Sequence, residues 1–170
     1  MNGCHKIWKA SIIGCLIVGV RIMDKHKFPR GGINMRDEQP IEKIMAESNT
    51  IAVVGFSSNP QKAGYYVPAY LKRQGYAIYA VNPNVGEGLG GEPAYGTLGE
   101  VPTPVDLVLI FQRSENVPPF VDQAIEIGAK AVWMQLGIAN EAAAQKAEAA
   151  GLDVVQNACM LVEHKNWDRS

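Results

Sequence analysis

Short apolar runs, separated by helix-length segments that end in glycine, constrain this chain more than any other feature of its sequence. Thr50-Ile51-Ala52-Val53-Val54-Gly55-Phe56 is continuously apolar and closes on glycine, the pattern of a strand buried on both faces. Residues 77–81, 105–111, 130–135 and 153–155 predict four further strands, the second of the five ending at Asn82-Pro83. Between them, residues 67–74, 117–127 and 140–150 predict helices stopped by Gly75, Gly128 and Gly151. Ile41, Ile44 and Met45 have helical spacing and predict a short amphipathic helix over residues 40–48. The Gly- and Pro-rich stretch 85–104 is expected to hold at most one helical turn, near 97–101. Strand–helix alternation at this rhythm implies a parallel sheet of about five strands, covered on both faces by right-handed crossovers. The expectation is a Rossmann-like three-layer α/β fold.

Composition narrows the functional classes. A chain of 170 residues suits one domain of about 100–200 residues. Its 47% hydrophobic content is that of a globular protein, and a net charge of −1 leaves no electrostatic footprint for non-specific nucleic-acid binding. Three cysteines (Cys4, Cys15, Cys159) without a CxxC pair exclude a disulfide framework and argue against structural zinc. A reducing, cytoplasmic setting follows as the default.

The neutral total hides a split. Residues 1–34 carry six basic groups against Asp24, a net +5, whereas residues 35–170 carry ten basic and sixteen acidic groups, a net −6. Residues 11–20 form an apolar run that superficially resembles a signal peptide, but Arg21 follows in place of a small-x-small cleavage site. The run is also short of the about 20 residues needed to span a bilayer. Ile12-Ile13-Gly14-Cys15 only faintly resembles a lipoprotein box, because the apolar run lies mostly after the cysteine. Met35 then opens a stretch that reads like an ordinary cytosolic N-terminus. The expectation is a basic extension over 1–34, poorly ordered or preceding the true start, and a single domain over 35–170. A membrane-associating segment is the lesser alternative.

In open parallel sheets, ligands sit beyond the carboxyl ends of the strands, at the switch point beside the first strand. The loops after Phe56, Val81 and Phe111 are expected to meet there. The first, Gly55-Phe56-Ser57-Ser58-Asn59-Pro60-Gln61-Lys62-Ala63-Gly64, suits an anion: glycine allows close backbone approach, the serines offer hydroxyls, and Lys62 adds a full charge at a helix start. It is neither G-x-G-x-x-G, since Ser57 occupies the second glycine position, nor a P-loop. The same residues equally make an ordinary turn whose serines and asparagine cap the helix. The cluster Gly86-Glu87-Gly88-Leu89-Gly90-Gly91 imitates a nucleotide fingerprint, but Glu87 and Glu92 would repel phosphate, and a flexible loop is expected. Asn82 stands where dinucleotide folds place an acid for the ribose hydroxyl, which weighs against NAD; a plain Asx turn before Pro83 is the alternative.

Five pieces occur in order: Ala52-Val53-Val54-Gly55-Phe56-Ser57, Val81-Asn82-Pro83, Asp106-Leu107-Val108-Leu109-Ile110-Phe111-Gln112-Arg113, Trp133-Met134-Gln135-Leu136-Gly137-Ile138, and Cys159 followed by Glu163-His164. Together they resemble the stand-alone CoA-binding domain proteins of bacteria, which are similar to the N-terminal CoA-binding domain of the succinyl-CoA synthetase α subunit. The resemblance covers about residues 38–168 and implies a domain that holds coenzyme A by its nucleotide half. It implies that Gly55, Phe56, Ser57 and Ser58 with the following helix start, assisted by Lys62, hold the pyrophosphate. Asn82 and Pro83 would border the adenosine 3′-phosphoribosyl end, and Phe111 with Arg113 would flank pantetheine or adenine. Gln135 and Gly137 would line the pantetheine arm, with Cys159 near the CoA thiol. The synthetase's second α-subunit domain, with its phosphorylated histidine, and its ATP-grasp β subunit have no counterpart in this sequence, so ligase chemistry is not carried over.

No catalytic constellation stands out. Cys159 and His164 are five residues apart, which settles nothing about proximity in space. The bland expectation puts Glu163 and His164 on a solvated C-terminal segment and makes Cys159 a small buried hydrophobe. Trp133 and Phe120 are expected in the core, and no paired-carboxylate or metal-ligand cluster emerges. The favoured expectation is a binding module for CoA or an acyl-CoA, with no nucleic-acid or membrane partner. The alternative is a small NAD(P)-dependent oxidoreductase or redox-sensing nucleotide-binding domain. Dimers or larger assemblies are an expectation without any residue pattern that specifies an interface.

Overall fold

The computed structural model describes residues 40–167. The expectations for the basic segment 1–34 and the start at Met35 lie outside the described residues. Six parallel strands form one sheet: β1 (Thr50–Val54), β2 (Ala77–Val81), β3 (Ala94–Tyr95), β4 (Leu107–Ile110), β5 (Ala131–Gln135) and β6 (Asp153–Ala158). Their spatial order is β3-β2-β1-β4-β5-β6, so the chain reverses its direction of travel across the sheet beside β1. The sixth strand is β3, two residues long and set in the Gly/Pro-rich stretch where at most a helical turn near 97–101 is expected; a turn is present too, over Leu98–Glu100.

Among the described residues, five α-helices cover the sheet: α1 (Ile41–Glu47), α2 (Ala63–Arg73), α3 (Pro118–Glu126), α4 (Glu141–Ala149) and α5 (Met160–Trp167). Side chains of each strand alternate between two faces, as strand geometry requires. Ala52 and Val54 of β1 pack with Val121 and Ala124 of α3 and Ala143 and Ala147 of α4. Ile51 and Val53 face the other way, with Met45 of α1, Val67 and Leu71 of α2, and Met160 of α5. Trp133 is fully buried, as expected, and its indole donates to the Ala158 carbonyl at 2.8 Å; Phe120 is half-buried against the core. Among the described residues, no helix is long and apolar enough to cross a membrane.

β6 runs on to Ala158, beyond the expected 153–155, and two helical segments also differ from expectation. α2 begins four residues earlier than predicted, which puts Pro68 inside the helix rather than near its start. The C-terminal segment is a helix rather than a solvated tail, and His164 is buried. Its Nδ1 lies 3.1 Å from the Tyr70 hydroxyl, and its ring meets those of Tyr70, Tyr76 and Trp167 edge-on at 5.5, 5.5 and 5.6 Å. A buried face built from histidine and aromatic hydroxyls has little apolar periodicity to read.

At the amino edge of the sheet, Asp106 ties three segments together. Its carboxylate accepts the Asn49 and Thr50 amides at 2.9 and 3.0 Å and pairs with Lys130 Nζ at 2.7 Å. Burial alone would raise the Asp106 pKa. The hydrogen bond from Lys130, the two amides and the lysine's charge outweigh burial and hold it below its ordinary 3.8. An acid depressed in this way stabilises the fold above its unfolded value, and the contribution is lost as pH falls through the folded value. Asp106→Asn is therefore expected to cost about 2 kcal/mol at neutral pH, read by urea unfolding. The gap from wild type should close as pH drops below 3.8. A gap independent of pH would contradict the assignment.

Candidate functional site

Strand register decides what meets at the carboxyl edge. Val54 pairs with both Val81 and Ile110, so β1, β2 and β4 end level. Their continuations, Gly55, Asn82 and Phe111, leave the sheet side by side. The Gly55 amide donates to Val81 O at 3.0 Å and the Phe111 amide to Val54 O at 2.9 Å, which extends the ladders into the loops. Ile110 pairs with Met134, and Gln135 pairs with Ala158 after an irregularity in β5–β6. Gln135, Gly137 and Cys159 therefore leave from the same edge, further along. The candidates Gly55 to Ser58, Asn82, Pro83, Phe111, Arg113, Gln135, Gly137 and Cys159 thus lie at or just beyond strand ends on this edge, whereas Trp133 lies within β5 and His164 within α5.

The first loop is a chain of local hydrogen bonds. Ser57 Oγ accepts the Asn59 amide at 3.2 Å, Asn59 Oδ1 accepts the Gln61 amide at 2.9 Å, and Asn59 O accepts the Lys62 amide at 3.0 Å. Lys62 is the residue before α2 and holds an extended conformation. Its carbonyl receives the Tyr65 and Tyr66 amides, which leaves those of Ala63 and Gly64 as the helix-start donors that the helix itself does not take up. With the exposed Ser58 and Lys62 side chains, these donors suit an anionic group. The turn expected from the sequence is present, but its serine and asparagine bond within the loop and do not cap α2: Lys62, at the N-cap, makes no side-chain capping bond.

Glycine is required twice here. Gly55 adopts φ +78°, and a Cβ on it would lie 3.1 Å from Phe111 O. A Cβ on Gly64 would lie 2.9 Å from the backbone oxygen of Gly55. Gly64 thus does what the third glycine of a dinucleotide fingerprint does, letting the helix start close against the strand end. Its importance was missed from the sequence because the loop stretches the fingerprint's spacing.

Other side chains at this edge are already engaged. Phe56 is buried with its ring 6.1 Å from that of Tyr65, so only its backbone faces the loop. Asn82 Nδ2 donates to Phe56 O at 2.7 Å while its Oδ1 accepts the Asn84 amide at 3.0 Å. This is the expected Asx turn with an added tie to the first loop. Gln135 is buried; its Nε2 lies 3.3 Å from Cys159 Sγ and its Oε1 accepts the Met160 amide at 3.2 Å, capping α5. Cys159 is half-buried rather than fully so. The Gly137 amide donates to Asn157 Oδ1 at 2.8 Å, and Asn157 itself holds a positive φ of 52°. Pro83 is exposed and Phe111 half-buried. Arg113 is 84% exposed, with only a loose approach to Glu115 at 4.0 Å. Lys62 and Arg113 are thus exposed cations on the switch-point loops. Among the described residues, no group of three or more His, Cys, Asp or Glu is placed to hold a metal ion.

A family model described as "CoA binding domain" matches residues 49–165. The uncharacterized protein YneT of Bacillus subtilis (strain 168) is 36% identical over 124 residues, spanning 73% of this chain and 91% of that protein. The α subunit of the ADP-forming acetate–CoA ligase II of Pyrococcus furiosus is 39% identical over 83 residues, which are 48% of this chain and 18% of the subunit. The ligase relative is thus an acetate–CoA ligase, and the likeness to succinyl-CoA synthetase is correspondingly looser. Among solved structures, a hypothetical protein from Pyrococcus horikoshii OT3 superposes with a TM-score of 0.72 at 35% identity, covering 85% of this chain and 99% of its own.

The close approach of α2 to β1 is tested by Gly64→Ala. It is expected to lose about 1–3 kcal/mol in urea unfolding despite alanine's better helix propensity. At Gly99 a Cβ would meet nothing within 4 Å. Gly99→Ala should therefore stay within about 0.5 kcal/mol of wild type.

Proposed function

The chain belongs to the CoA-binding domain family, and from that premise we propose that it holds coenzyme A or an acyl-CoA by the nucleotide and pyrophosphate half, without ligase activity of its own. The observation that carries this reading is the first loop, with its helix-start amides of Ala63 and Gly64, the Ser58 hydroxyl and the Lys62 ammonium beside the switch point. That donor set fits a pyrophosphate: several neutral donors and one cation, with no carboxylate among them. Asn82 and Pro83 would border the adenosine 3′-phosphoribosyl end, and Phe111 with Arg113, exposed on the β4 loop, would flank pantetheine or adenine. The turn at Gln135 and Gly137 and the thiol of Cys159 would border the pantetheine arm.

Asn82 counts against the nicotinamide alternative. Both polar ends of its side chain are engaged within the protein, and it brings no carboxylate for a ribose hydroxyl. In this reading residues 35–170 are the binding unit and work in the cytoplasm as a carrier, sensor or store.

A thermal-shift panel on the full chain tests the proposal, comparing CoA, dephospho-CoA, acetyl-CoA, NAD and NADP. A ligand at about a hundred times its dissociation constant adds about 2.7 kcal/mol. For a domain of this size that is a rise of roughly 5–10 °C. The expected result is a rise with CoA and a smaller one with dephospho-CoA, with Lys62→Ala raising the CoA Kd about tenfold. A response to NAD or NADP alone, or none to CoA, would overturn it.

A further inference from the structure

Pro68 is the sixth residue of α2, buried, one turn beyond Gly64. In an unbroken helix the Gly64 carbonyl would receive the amide of residue 68. Proline has no N–H to give, and its ring crowds the carbonyl four residues earlier. Gly64 O instead accepts the Ser57 amide at 3.2 Å, a bond from outside the helix. Ser57 is also the first link of the loop, whose bonds run on through Asn59 to the Lys62 amide.

We propose that Pro68 is a positioning residue for the anion loop: by withholding the helix's own donor, it reserves the Gly64 carbonyl for Ser57 and so fixes the loop that carries Lys62. The functional half of this inference rests on the CoA-binding reading, whereas the structural half rests on the loop geometry alone. A proline that merely filled the core would act on the whole fold. One that acts through Gly64 releases Ser57 selectively.

Two substitutions in the full chain separate these roles. Pro68→Ala supplies the missing N–H and removes buried volume; Pro68→Val supplies the N–H while keeping most of that volume. Hydrogen exchange without ligand compares the Ser57 amide with the Gly55 amide, whose bond to Val81 O does not involve Pro68. In both variants Ser57 exchange is expected to quicken about tenfold relative to Gly55. The CoA Kd, from titration calorimetry, is expected to rise about three- to tenfold, the equivalent of one net hydrogen bond. An unchanged ratio of the two amides, or both quickening equally, would overturn the structural half. A selectively released Ser57 with unchanged Kd would overturn the functional half. If wild type itself binds no CoA, the CoA reading falls, and the amide ratio still decides the role of Pro68.

Discussion

The closeness of the first turn of α2 to the end of β1 is the constraint on which the candidate site depends. Gly64 has no side chain to hold the helix off, and its carbonyl takes the Ser57 amide. That contact turns a stretch of ten residues into a defined loop and aims a helix start at the switch point. Larger side chains are excluded by backbone atoms on the far side, which cannot rotate away as a flexible side chain would. The anion-suited surface is thus a by-product of backbone packing, with side chains added at Ser58 and Lys62.

The two edges of the sheet do different work. At the amino edge one carboxylate, Asp106, gathers the start of β1 and the segment entering β5. At the carboxyl edge the strands end level and hand over to loops that are tied to one another through Asn82, Gln135 and Asn157. A carboxylate and a lysine tie the amino edge together, and amide side chains tie the carboxyl edge. This division is common to parallel sheets, whose strand ends leave amides and carbonyls to be taken up by loops.

Much of this was legible in the sequence where burial was uniform. The continuous apolar runs at Ile51–Val54 and Leu107–Ile110 can be accommodated only between two covered faces, so the layers and the location of the site follow from them. β3 was not legible, because Ala94 and Tyr95 lie among glycines and prolines and pair over only two residues. The early start of α2 was hidden by Pro68, which is usually tolerated only at a helix start. A glycine four residues before a proline was the available signal. Convergence of the three strand-end loops on one edge was readable; the engagement of Asn82 and Gln135 was not, since side-chain partners from distant loops leave no periodic trace.

The tie from Asn82 to Phe56 O has a bearing on how such a domain changes its ligand over generations. An aspartate at this position, the residue that nicotinamide-using relatives of the fold employ, would set a carboxylate oxygen against a carbonyl now reached by a donor at 2.7 Å. The one-step path to that chemistry passes through a variant whose first two loops repel each other. A lineage crossing it must rebuild the turn after β1 at the same time. The contact between Asn82 and Phe56 O is thus a physical barrier to that substitution.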